Sequence, residues 1–344
     1  MIGDPGNPDR PLLLRLRQEL DRVLAEALGA DREVALVNFP NHSNPGDSAL
    51  WLGAVSSLKR IGVRIRYRSA WDTFEPELLR RRLPEGPILI NGGGNFGDLY
   101  AGQQGLREWL LAQCRDRRLI QLPQSVHFRE QGNLDRNRRL VAEHGRVTLM
   151  ARDRAAYDLM SEQFEATVKL APDAAFGLGP VAASPHPPTQ DVMWLHRRPG
   201  DPEFVDHGIP ADQWTEWLEV LADEPQWRPE HRLARKSNRK LRERLPGGRS
   251  RRLLLEALER TYDGLGWGYT RRGIEILGRA QTLVTDKLHG HILALLIGKP
   301  HIVLDNSYGK VSALHRTWTA DSVLARFAAD PDEVAELIVA DRTR

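Results

Sequence analysis

Residues 285–311, TDKLHGHILALLIGKPHIVLDNSYGKV, decide the fold of the second half of this chain. The apolar run that ends at Thr285 predicts a strand, HGHILALLIG predicts a helix, and HIVLD predicts the next strand. This order forms a βαβ unit, which builds a parallel sheet. Charged and histidine side chains stand between the first strand and the helix, where open parallel sheets bind ligands. The stretch therefore predicts both an α/β fold and a binding site.

Four side chains of this stretch are candidates for chemistry: Lys287, His289, His291 and Lys310. Because a helix amino terminus carries unpaired N–H groups and partial positive charge, cations beside it favour an anionic ligand. An ordinary turn with a capping histidine is the structural alternative. The pattern His289-Gly290-His291 could suggest metal binding, but residues two apart at a helix start diverge, and the sequence offers no third ligand. We therefore predict no metal; His289 is the candidate acid, base or anion donor, and His291 a supporting residue.

Length and composition indicate two domains of an intracellular protein. The chain has 344 residues, of which 41% are hydrophobic. A single cysteine, Cys114, excludes an intrachain disulfide framework and a cysteine-rich metal site. The amino terminus lacks an apolar signal core, and no apolar run approaches the roughly 20 residues of a membrane span. These features predict a cytoplasmic protein.

The pattern of the chain predicts two Rossmann-like domains. An amphipathic helix at 11–28 precedes alternating strands and helices, with EVALVNF at 33–39 as a central strand and VRIRY at 63–67 as an edge strand. Such alternation favours a parallel sheet covered on both faces. A stretch rich in Pro, Ala and Ser follows. We expect the first domain at 1–180, a linker at 181–190 and the second domain at 191–344.

Positive charge is concentrated at 228–252, which holds eleven Arg or Lys residues against two Glu. Such a run is usually a solvated helix face or a loop. The functional alternative is an electrostatic surface for an anionic membrane or a diphosphate-bearing substrate. Nothing in the pattern indicates a nucleic-acid partner.

Polar loops follow several predicted strands and should meet at one rim. The run at 92–94, NGGGNFGD in context, includes Gly93 and Gly94, whose lack of a side chain lets backbone approach a ligand and present N–H donors. It lacks the GKS or GKT of the Walker pattern, and tight-turn glycines are the alternative. Arg152 ends a predicted strand, where its guanidinium could bind phosphate or carboxylate, unless it pairs with Asp153.

Three acidic or histidine side chains on these loops are candidates for contact with a hydroxyl-bearing substrate. Asp98 follows the glycine run and could act as a base or accept a hydrogen bond from a sugar, although a turn or helix cap is the common role of a loop aspartate. Asp47 lies in SNPGDS, which is also good capping chemistry. His127 ends the loop PQSVH.

Taken together, these loops resemble the polysaccharide pyruvyl transferase family. Seven segments carry the resemblance over about 270 residues, and each alone is only moderately specific. They are NPGDSALWLGA, ILINGGGNFGDLY, IQLPQSVHF, LMARDRAAYDLM, APDAAF, TDKLHGHILALLIGKP and DNSYGKVSAL. The resemblance implies two Rossmann-like domains facing each other across a cleft, as in GT-B glycosyltransferases. It also implies transfer of a pyruvyl group from phosphoenolpyruvate to two hydroxyls of a sugar, which gives a cyclic ketal.

The family's functional arginine, histidine and lysine fall by motif position on Arg152, His289 and Lys310. Where the family usually has arginine before Leu-His, this chain has Lys287, which keeps the charge but loses the bidentate fork. The predicted donor site is completed by neighbours of these residues. It comprises Arg152, Lys287, Leu288, His289, Lys310, Arg197, Gly93, Gly94 and Asn95.

The implied reaction needs an acid near the donor and a base near the acceptor. We nominate His289 as the acid and Asp98 as the base, with Arg152 as an electrostatic catalyst and with Asp47, Asp98 and His127 on the acceptor side. No cofactor is expected beyond phosphoenolpyruvate as donor substrate. The basic segment favours a lipid diphosphate-linked oligosaccharide at the inner membrane face as acceptor, with a free polymer or nucleotide sugar as alternatives.

Two rival functions fit parts of the pattern. A GT-B nucleotide-sugar glycosyltransferase would use the glycine-rich loop and cations to hold a diphosphate. A non-catalytic polyanion-binding subunit would use the segment at 228–252. Cations at strand ends in both halves suit a small dianion in a cleft better than one flat basic surface.

Overall fold

A computed structural model gives the fold of the chain and describes residues 6–208, 210, 213–218, 220 and 249–342. Helices and strands alternate along these residues, as the sequence predicts. The helices are α1 (Arg10–Leu28), α2 (Pro45–Arg60), α3 (Pro76–Arg82), α4 (Ala101–Gln113), α5 (Gln131–His144), α6 (Arg154–Gln163), α7 (Arg249–Glu259), α8 (Tyr262–Gly278), α9 (Leu288–Leu296), α10 (Lys310–Leu314) and α11 (Pro331–Arg342). The strands are β1 (Glu33–Phe39), β2 (Arg64–Ala70), β3 (Ile88–Ile90), β4 (Gly93–Gly97), β5 (Leu119–His127), β6 (Val147–Ala151), β7 (Thr167–Leu170), β8 (Gln190–Leu195), β9 (Trp214–Thr215), β10 (Ala280–Thr285), β11 (His301–Val303) and β12 (Ala325–Phe327).

Two parallel sheets organise the molecule. The first has seven strands in the order β2-β1-β3-β5-β6-β7, with β4 paired to β5. The second has five strands in the order β12-β11-β10-β8-β9. Every pairing among the described strands is parallel, which confirms the α/β class and two Rossmann-like sheets. The strand predicted at the sheet edge from VRIRY is β2, which lies at one end of the first sheet.

The βαβ unit of the second half folds as its sequence predicts. Strand β10 pairs with β11 in parallel, and α9 connects them. Helix α9, LHGHILALL, is buried at every residue except His289, because apart from its two histidines its sequence is apolar. Its first turn therefore projects from a rigid, fully packed helix.

Helix α1 packs on the cores of both sheets. Leu12, Leu13 and Leu16 belong to the core cluster that includes β8, β10 and α9, whereas Leu20 and Leu24 belong to the cluster that includes β1 and α2. The single helix thus ties the two halves together. The division at 180 and 190 remains a proposal.

The glycine-rich run is a strand rather than an open loop. Residues Gly93–Gly97 form β4, which lies alongside the end of β5. A Cβ on Gly92 would lie 2.3 Å from the carbonyl oxygen of Pro123, and one on Gly97 would lie 1.7 Å from that of His127. Glycine is required at both positions because the two backbones touch.

Other predictions fall partly outside the described residues. Of the basic segment, 228–248 lies outside them, and its end begins α7, where Arg251 pairs with Glu75 at 3.2 Å. In the part of the chain that the structure describes, every helix is too short or too polar to cross a membrane.

Candidate functional site

A cavity of about 1180 Å³ lies where the loops after β1, β3, β6, β8, β9, β10 and β11 meet. Each of these loops leaves the carboxyl end of a parallel strand, which is where such sheets place their ligand sites. The cavity is large enough for a small dianion and a sugar ring together. The loops come from both sheets, so neither half forms the cavity alone.

The structure brings most of the predicted site residues together in this cavity. Those that line it are Asp47, Gly94, Asn95, Arg152, Arg197, Lys287, Leu288, His289 and Lys310. Gly93, Asp98 and His127 are not among its lining residues. The predicted donor set therefore converges, whereas the predicted acceptor set does so only at Asp47.

His289 stands between two carboxylates at the start of α9. Its Nδ1 lies 3.7 Å from Oδ1 of Asp47, and its Nε2 lies 3.7 Å from Oδ2 of Asp173. These separations are too long for hydrogen bonds but short enough for strong electrostatic attraction. The side chain is 12% exposed, so the ring reaches the cavity while most of it is packed. An imidazole in this position can exchange a proton with a group bound in the cavity.

Asp47 is free to face the cavity because another residue caps its helix. The Asn44 side chain accepts a hydrogen bond from the backbone N–H of Gly46 at 3.0 Å, and Pro45 opens α2. Proline suits this first position because it fixes φ and lacks an N–H. Asp47 in the first turn then contacts His289 and also His42, whose Nε2 lies 3.6 Å from Oδ2.

Arg152 and Asp173 form a buried ion pair behind His289. Nη1 of Arg152 donates to Oδ2 of Asp173 at 2.9 Å, and both side chains are within 1% of full burial. Burial opposes ionisation of Asp173, but the contact with His289 and the charge of Arg152 outweigh it, so the pKa of Asp173 is lowered. Ser125 accepts from Nε of Arg152 at 2.8 Å and fixes the guanidinium. Asp153, the alternative partner of Arg152 in the sequence interpretation, caps α6 instead.

Two cations converge beside Gly94. A Cβ on this glycine would lie 3.5 Å from Nη2 of Arg152 and 3.7 Å from Nζ of Lys310. The same position is 3.9 Å from Oε1 of Glu203. The space next to Gly94 is therefore the point of the cavity where an anionic group would contact both cations.

Carboxylates of this chain already neutralise the cavity's cations. Glu203 pairs with Lys310 and with Nη2 of Arg197, the latter at 2.5 Å. Glu216 pairs with Lys287 at 2.8 Å. The sequence predicted cations without a counter-ion until substrate binds. In the structure, each of these cations pairs with a carboxylate of the chain. A buried cation without a counter-ion would cost several kcal/mol, about the size of a large mutational effect, which explains the pairing.

The pKa values of the Glu203 cluster reflect this pairing. Burial opposes ionisation of Glu203, but Lys310 and Arg197 lower its pKa to about 2. Burial, reinforced by the charges of Arg197 and Arg152, lowers the pKa of Lys310 to about 8 despite Glu203. The hydroxyl of Tyr308 also donates to Glu203, at 2.9 Å. Glu203 is thus the centre of the polar network in the donor half of the cavity.

A buried arginine holds the glycine-rich strand in place. Arg107 on α4 donates to the Asn95 side chain at 2.8 Å and to Gln121 at 2.9 Å. Gln124 also donates to Oδ1 of Asn95, at 2.9 Å. These bonds hold Asn95, which lines the cavity, in place. Burial lowers the pKa of Arg107 to about 9, which still leaves it charged at neutral pH.

Asp98 and His127 make structural contacts. The carboxylate of Asp98 accepts from the backbone N–H groups of Arg129 and Glu130 at 2.9 Å each. Burial opposes its ionisation, but these donors and the side chain of Asn133 together outweigh it, so the pKa of Asp98 is lowered. The ring of His127 stacks on Tyr308 with centroids 4.7 Å apart. Neither arrangement suits a proton acceptor that faces the cavity. The acceptor-side roles of Asp98 and His127 stay predictions.

Three site residues escaped the sequence interpretation: Asp173, Glu203 and Glu216. Asp173 lies in APDAAF, a segment noted for its resemblance but not for its carboxylate. The acids Glu203 and Glu216 lie on the loops around β9, in a region with little periodic pattern. Of the three, only Asp173 could have been predicted from the sequence, because it is a single acidic residue just after a predicted strand.

The structure also locates residues that could hold a metal. Among the described residues, His196, His207 and Asp286 form one group with potential ligand atoms within 4.8 Å of one another. His196 and His207 each contact a backbone carbonyl, at 2.5 Å and 3.2 Å, and Asp286 accepts from the N–H of Arg197 at 3.3 Å. These bonds tie together the loops after β8, β10 and β11.

The two histidines of the HxH pattern do not share a site. His291 is fully buried and contacts His301 at 2.7 Å and Thr319 at 2.9 Å, on the opposite side of α9 from the cavity. Burial and the neighbouring histidines lower the pKa of His291 well below its usual value. This placement agrees with a supporting role.

Comparison with known proteins gives evidence about the chain that is independent of this geometry. Residues 44–308 match the family model described as Polysaccharide pyruvyl transferase. "Pyruvyl transferase 1" of Schizosaccharomyces pombe is 30% identical over 312 residues, which cover 83% of this chain and 70% of the relative. "Putative pyruvyl transferase EpsO" of Bacillus subtilis is 28% identical and covers 89% of this chain and 91% of the relative.

A solved structure supports the fold. An uncharacterized protein from Klebsiella pneumoniae superimposes with a TM-score of 0.59 at 16% identity, covering 91% of this chain and 98% of that one. Likeness at this identity concerns the fold alone. The family match runs from Asn44 to Tyr308 and includes most of the residues that line the cavity. Lys310 and the lining residues before Asn44 lie outside it.

Proposed function

This chain belongs to the polysaccharide pyruvyl transferase family, and from that premise we propose that it transfers the pyruvyl group of phosphoenolpyruvate to two hydroxyls of a sugar, forming a cyclic ketal. The observation that carries the proposal is the convergence of Arg152, Lys287, His289 and Lys310 on one cavity. Phosphoenolpyruvate has a carboxylate and a phosphate, so its site needs several fixed cations and one proton donor.

The donor's anionic groups replace the carboxylates that now neutralise the cations. One group lies next to Gly94 between Arg152 and Lys310 and displaces Glu203 from Lys310. The other binds Lys287 after Glu216 moves away. Because the resident carboxylates and the donor offer similar charge, binding exchanges one ion pair for another and does not require a bare buried cation.

The reaction begins with proton transfer from His289 to the methylene carbon of the donor. This makes C2 cation-like, and one sugar hydroxyl adds to it as its proton passes to a base. Phosphate then leaves C2 with the bonding electrons, the second hydroxyl of the same sugar forms the second C2–O bond, and its proton passes to the departing phosphate. The sum is donor plus diol giving ketal plus inorganic phosphate. Arg152 and Lys310 stabilise the departing phosphate.

Asp47 is the better candidate for the base. It lines the cavity and lies 3.7 Å from His289, so a proton taken from the hydroxyl can return to the imidazole. Asp98, the base nominated from sequence, has its carboxylate occupied by backbone N–H groups. Asp173 lies 3.7 Å from His289 on the other side and orients its ring.

We further propose a GT-B-like arrangement of the two sheets, with domains at 1–180 and 191–344, for a cytoplasmic enzyme of exopolysaccharide synthesis. A lipid-linked oligosaccharide at the inner membrane face remains the favoured acceptor. The basic segment at 228–252 would bring the enzyme to anionic lipid.

The direct test is phosphate release from phosphoenolpyruvate across a panel of hexosides, with mass spectrometry of the product. The expected product is heavier than the acceptor by one pyruvic acid less one water. A nucleoside diphosphate that protects the protein from thermal unfolding, with no protection by phosphoenolpyruvate, would instead indicate a nucleotide-sugar glycosyltransferase. The variant His289→Gln is the matched control, since it retains the donor cations and lacks the proton donor.

A further inference from the structure

Three aromatic side chains form an exposed row that starts at the mouth of the cavity. They are Tyr100, Trp71 and Trp109, which are 36%, 42% and 37% exposed. Aromatic rings of this size are normally packed inside, so such exposure on one side of one helix needs a reason.

Tyr100 connects the row to the cavity. It immediately precedes α4 and lines the cavity, as does Gln103 in the first turn of that helix. Burial and the carboxylates of Glu203, Asp47 and Asp201 raise the pKa of Tyr100. The residue therefore lines the cavity while 36% of it stays exposed to solvent.

Trp71 lies flat against the start of the same helix. A Cβ on Gly102 would be 3.2 Å from each of Cδ2, Cε2 and Cζ2 of the indole. Equal distances to three atoms of the six-membered ring place that position over the centre of the ring, so one indole face packs on the Gly102 backbone. The other face contributes the exposed surface. Trp71 follows β2 directly, at the carboxyl edge of the first sheet.

Trp109 continues the row along α4. It is seven residues beyond Gly102, which puts it on the same helix face about two turns, or about 10 Å, further from the cavity. Phe74 supports its ring edge-on, with centroids 5.2 Å apart. The row therefore has fixed, backed rings at successive distances from the catalytic centre.

We propose that Tyr100, Trp71 and Trp109 form an acceptor track that binds successive sugar units of an oligosaccharide whose terminal residue enters the cavity. This inference rests on the proposed function and specifies its acceptor as a chain of several sugars. Flat indole faces suit the apolar faces of pyranose rings, whose hydroxyls stay hydrated at the edges. Rings held in place by Gly102 and Phe74 lose little entropy on binding, which favours such use. A nucleotide sugar or a monosaccharide would leave Trp71 and Trp109 uncovered.

The test compares acceptors of different length. The probes are the monosaccharide and the tetrasaccharide of whichever hexose gives the most phosphate release with the wild-type enzyme. Trp71→Ala and Trp109→Ala should each raise the KM for the tetrasaccharide about tenfold, the scale of one lost aromatic contact. The KM values for the monosaccharide and for phosphoenolpyruvate should not change. Val323→Ala, at a residue 72% exposed and remote from the cavity, is the control.

Two results would overturn the track. One is an unchanged tetrasaccharide KM in both tryptophan variants. The other is a change in oligomeric state of Trp71→Ala by light scattering, which would mean that the row covers a second copy of the chain. If the wild-type protein releases no phosphate with any hexoside, the proposed function fails instead. The track is then tested by equilibrium binding of tetrasaccharides to two proteins, the variant His289→Gln and the double variant that also carries Trp71→Ala. Equal affinity of these two proteins would count against the track.

Discussion

Gly46 packs so tightly against His289 that a Cβ at residue 46 would lie 2.2 Å from the histidine Cβ and 2.5 Å from its Nδ1. The first turn of α2, from the first half of the chain, thus lies directly on the candidate proton donor of α9, from the second half. The position of the imidazole depends on the absence of one side chain in the other half.

Gly46→Ala should lower pyruvyl transfer by about a hundredfold, since a methyl group there must push His289 away from Asp47 and Asp173. The measurement is kcat together with thermal unfolding. Gly132→Ala is the control, because no atom lies within 4 Å of a Cβ on this helical glycine. That variant should be as active as the wild type and slightly more stable. Normal turnover in Gly46→Ala would mean that His289 is not the acid.

Asp173→Asn should lower kcat by about a hundredfold or more while changing the KM for phosphoenolpyruvate much less, because the carboxylate lies 3.7 Å from Nε2 of His289 and orients the proton donor. His289→Gln should lower kcat similarly, and the double variant should be no worse than either single one. Kinetics of the three variants form the measurement. Additive losses would indicate that the two residues act independently.

Glu203→Gln should tighten donor binding. The substitution keeps the shape of the side chain but removes the charge that competes with the donor for Lys310 and Arg197. The KM for phosphoenolpyruvate should fall by about tenfold, and the ligand-free protein should unfold at a lower temperature, because Lys310 loses its buried partner.

The comparison variant for Glu203 is Glu33→Gln, which loses exposed ion pairs with Arg64 and Arg66 and should leave both quantities unchanged. A raised KM in Glu203→Gln would contradict the displacement of Glu203 by the donor. It would show that the carboxylate positions the cations for the donor.

Donor affinity should weaken as pH rises through about 8, the pKa of Lys310 in the ligand-free protein. Lys310 is charged below this pH and neutral above it, and the donor binds the charged form. Glu203 stays ionised throughout, since its pKa is about 2. The KM for phosphoenolpyruvate should therefore be flat from about pH 6.5 to about 7.5 and then rise about tenfold per unit above 8.

Lys310→Arg supplies the control for this profile, because a guanidinium stays charged over the whole range. Its KM can differ from that of the wild type in magnitude, but the break near pH 8 should disappear. A break that persists in Lys310→Arg would assign the titration to another group.

Asp98→Asn should reduce stability by about 1 kcal/mol, because the carboxylate caps the backbone ahead of α5, and should change kcat less than about threefold. Asp47→Asn should instead change stability little and lower kcat strongly. Denaturant unfolding and kcat measured on both variants compare the two carboxylates. A large loss of turnover in a stably folded Asp98→Asn would restore the base role that the sequence suggested.

The sequence by itself determined the class of fold and the members of the candidate donor set. Apolar runs such as EVALVNF and HIVLD have the period and length of buried parallel strands, and that information is local. The residues at strand ends follow from it, since parallel strands carry their loops to one edge. Arg152, Lys287, His289 and Lys310 could therefore be grouped by their positions along the chain.

Only the tertiary structure decided how these residues are paired. Asp173, Glu203 and Glu216 neutralise the cations across distances of up to 107 residues along the chain, and no periodic pattern signals such contacts. The same holds for Asp98, whose carboxylate is occupied by the backbone near α5, and for Gly46, whose missing side chain makes room for His289. Ion pairing and close packing depend on where side chains meet in space. Local sequence patterns specify the elements that carry the side chains, whereas the folding of both halves around one cavity specifies their partners.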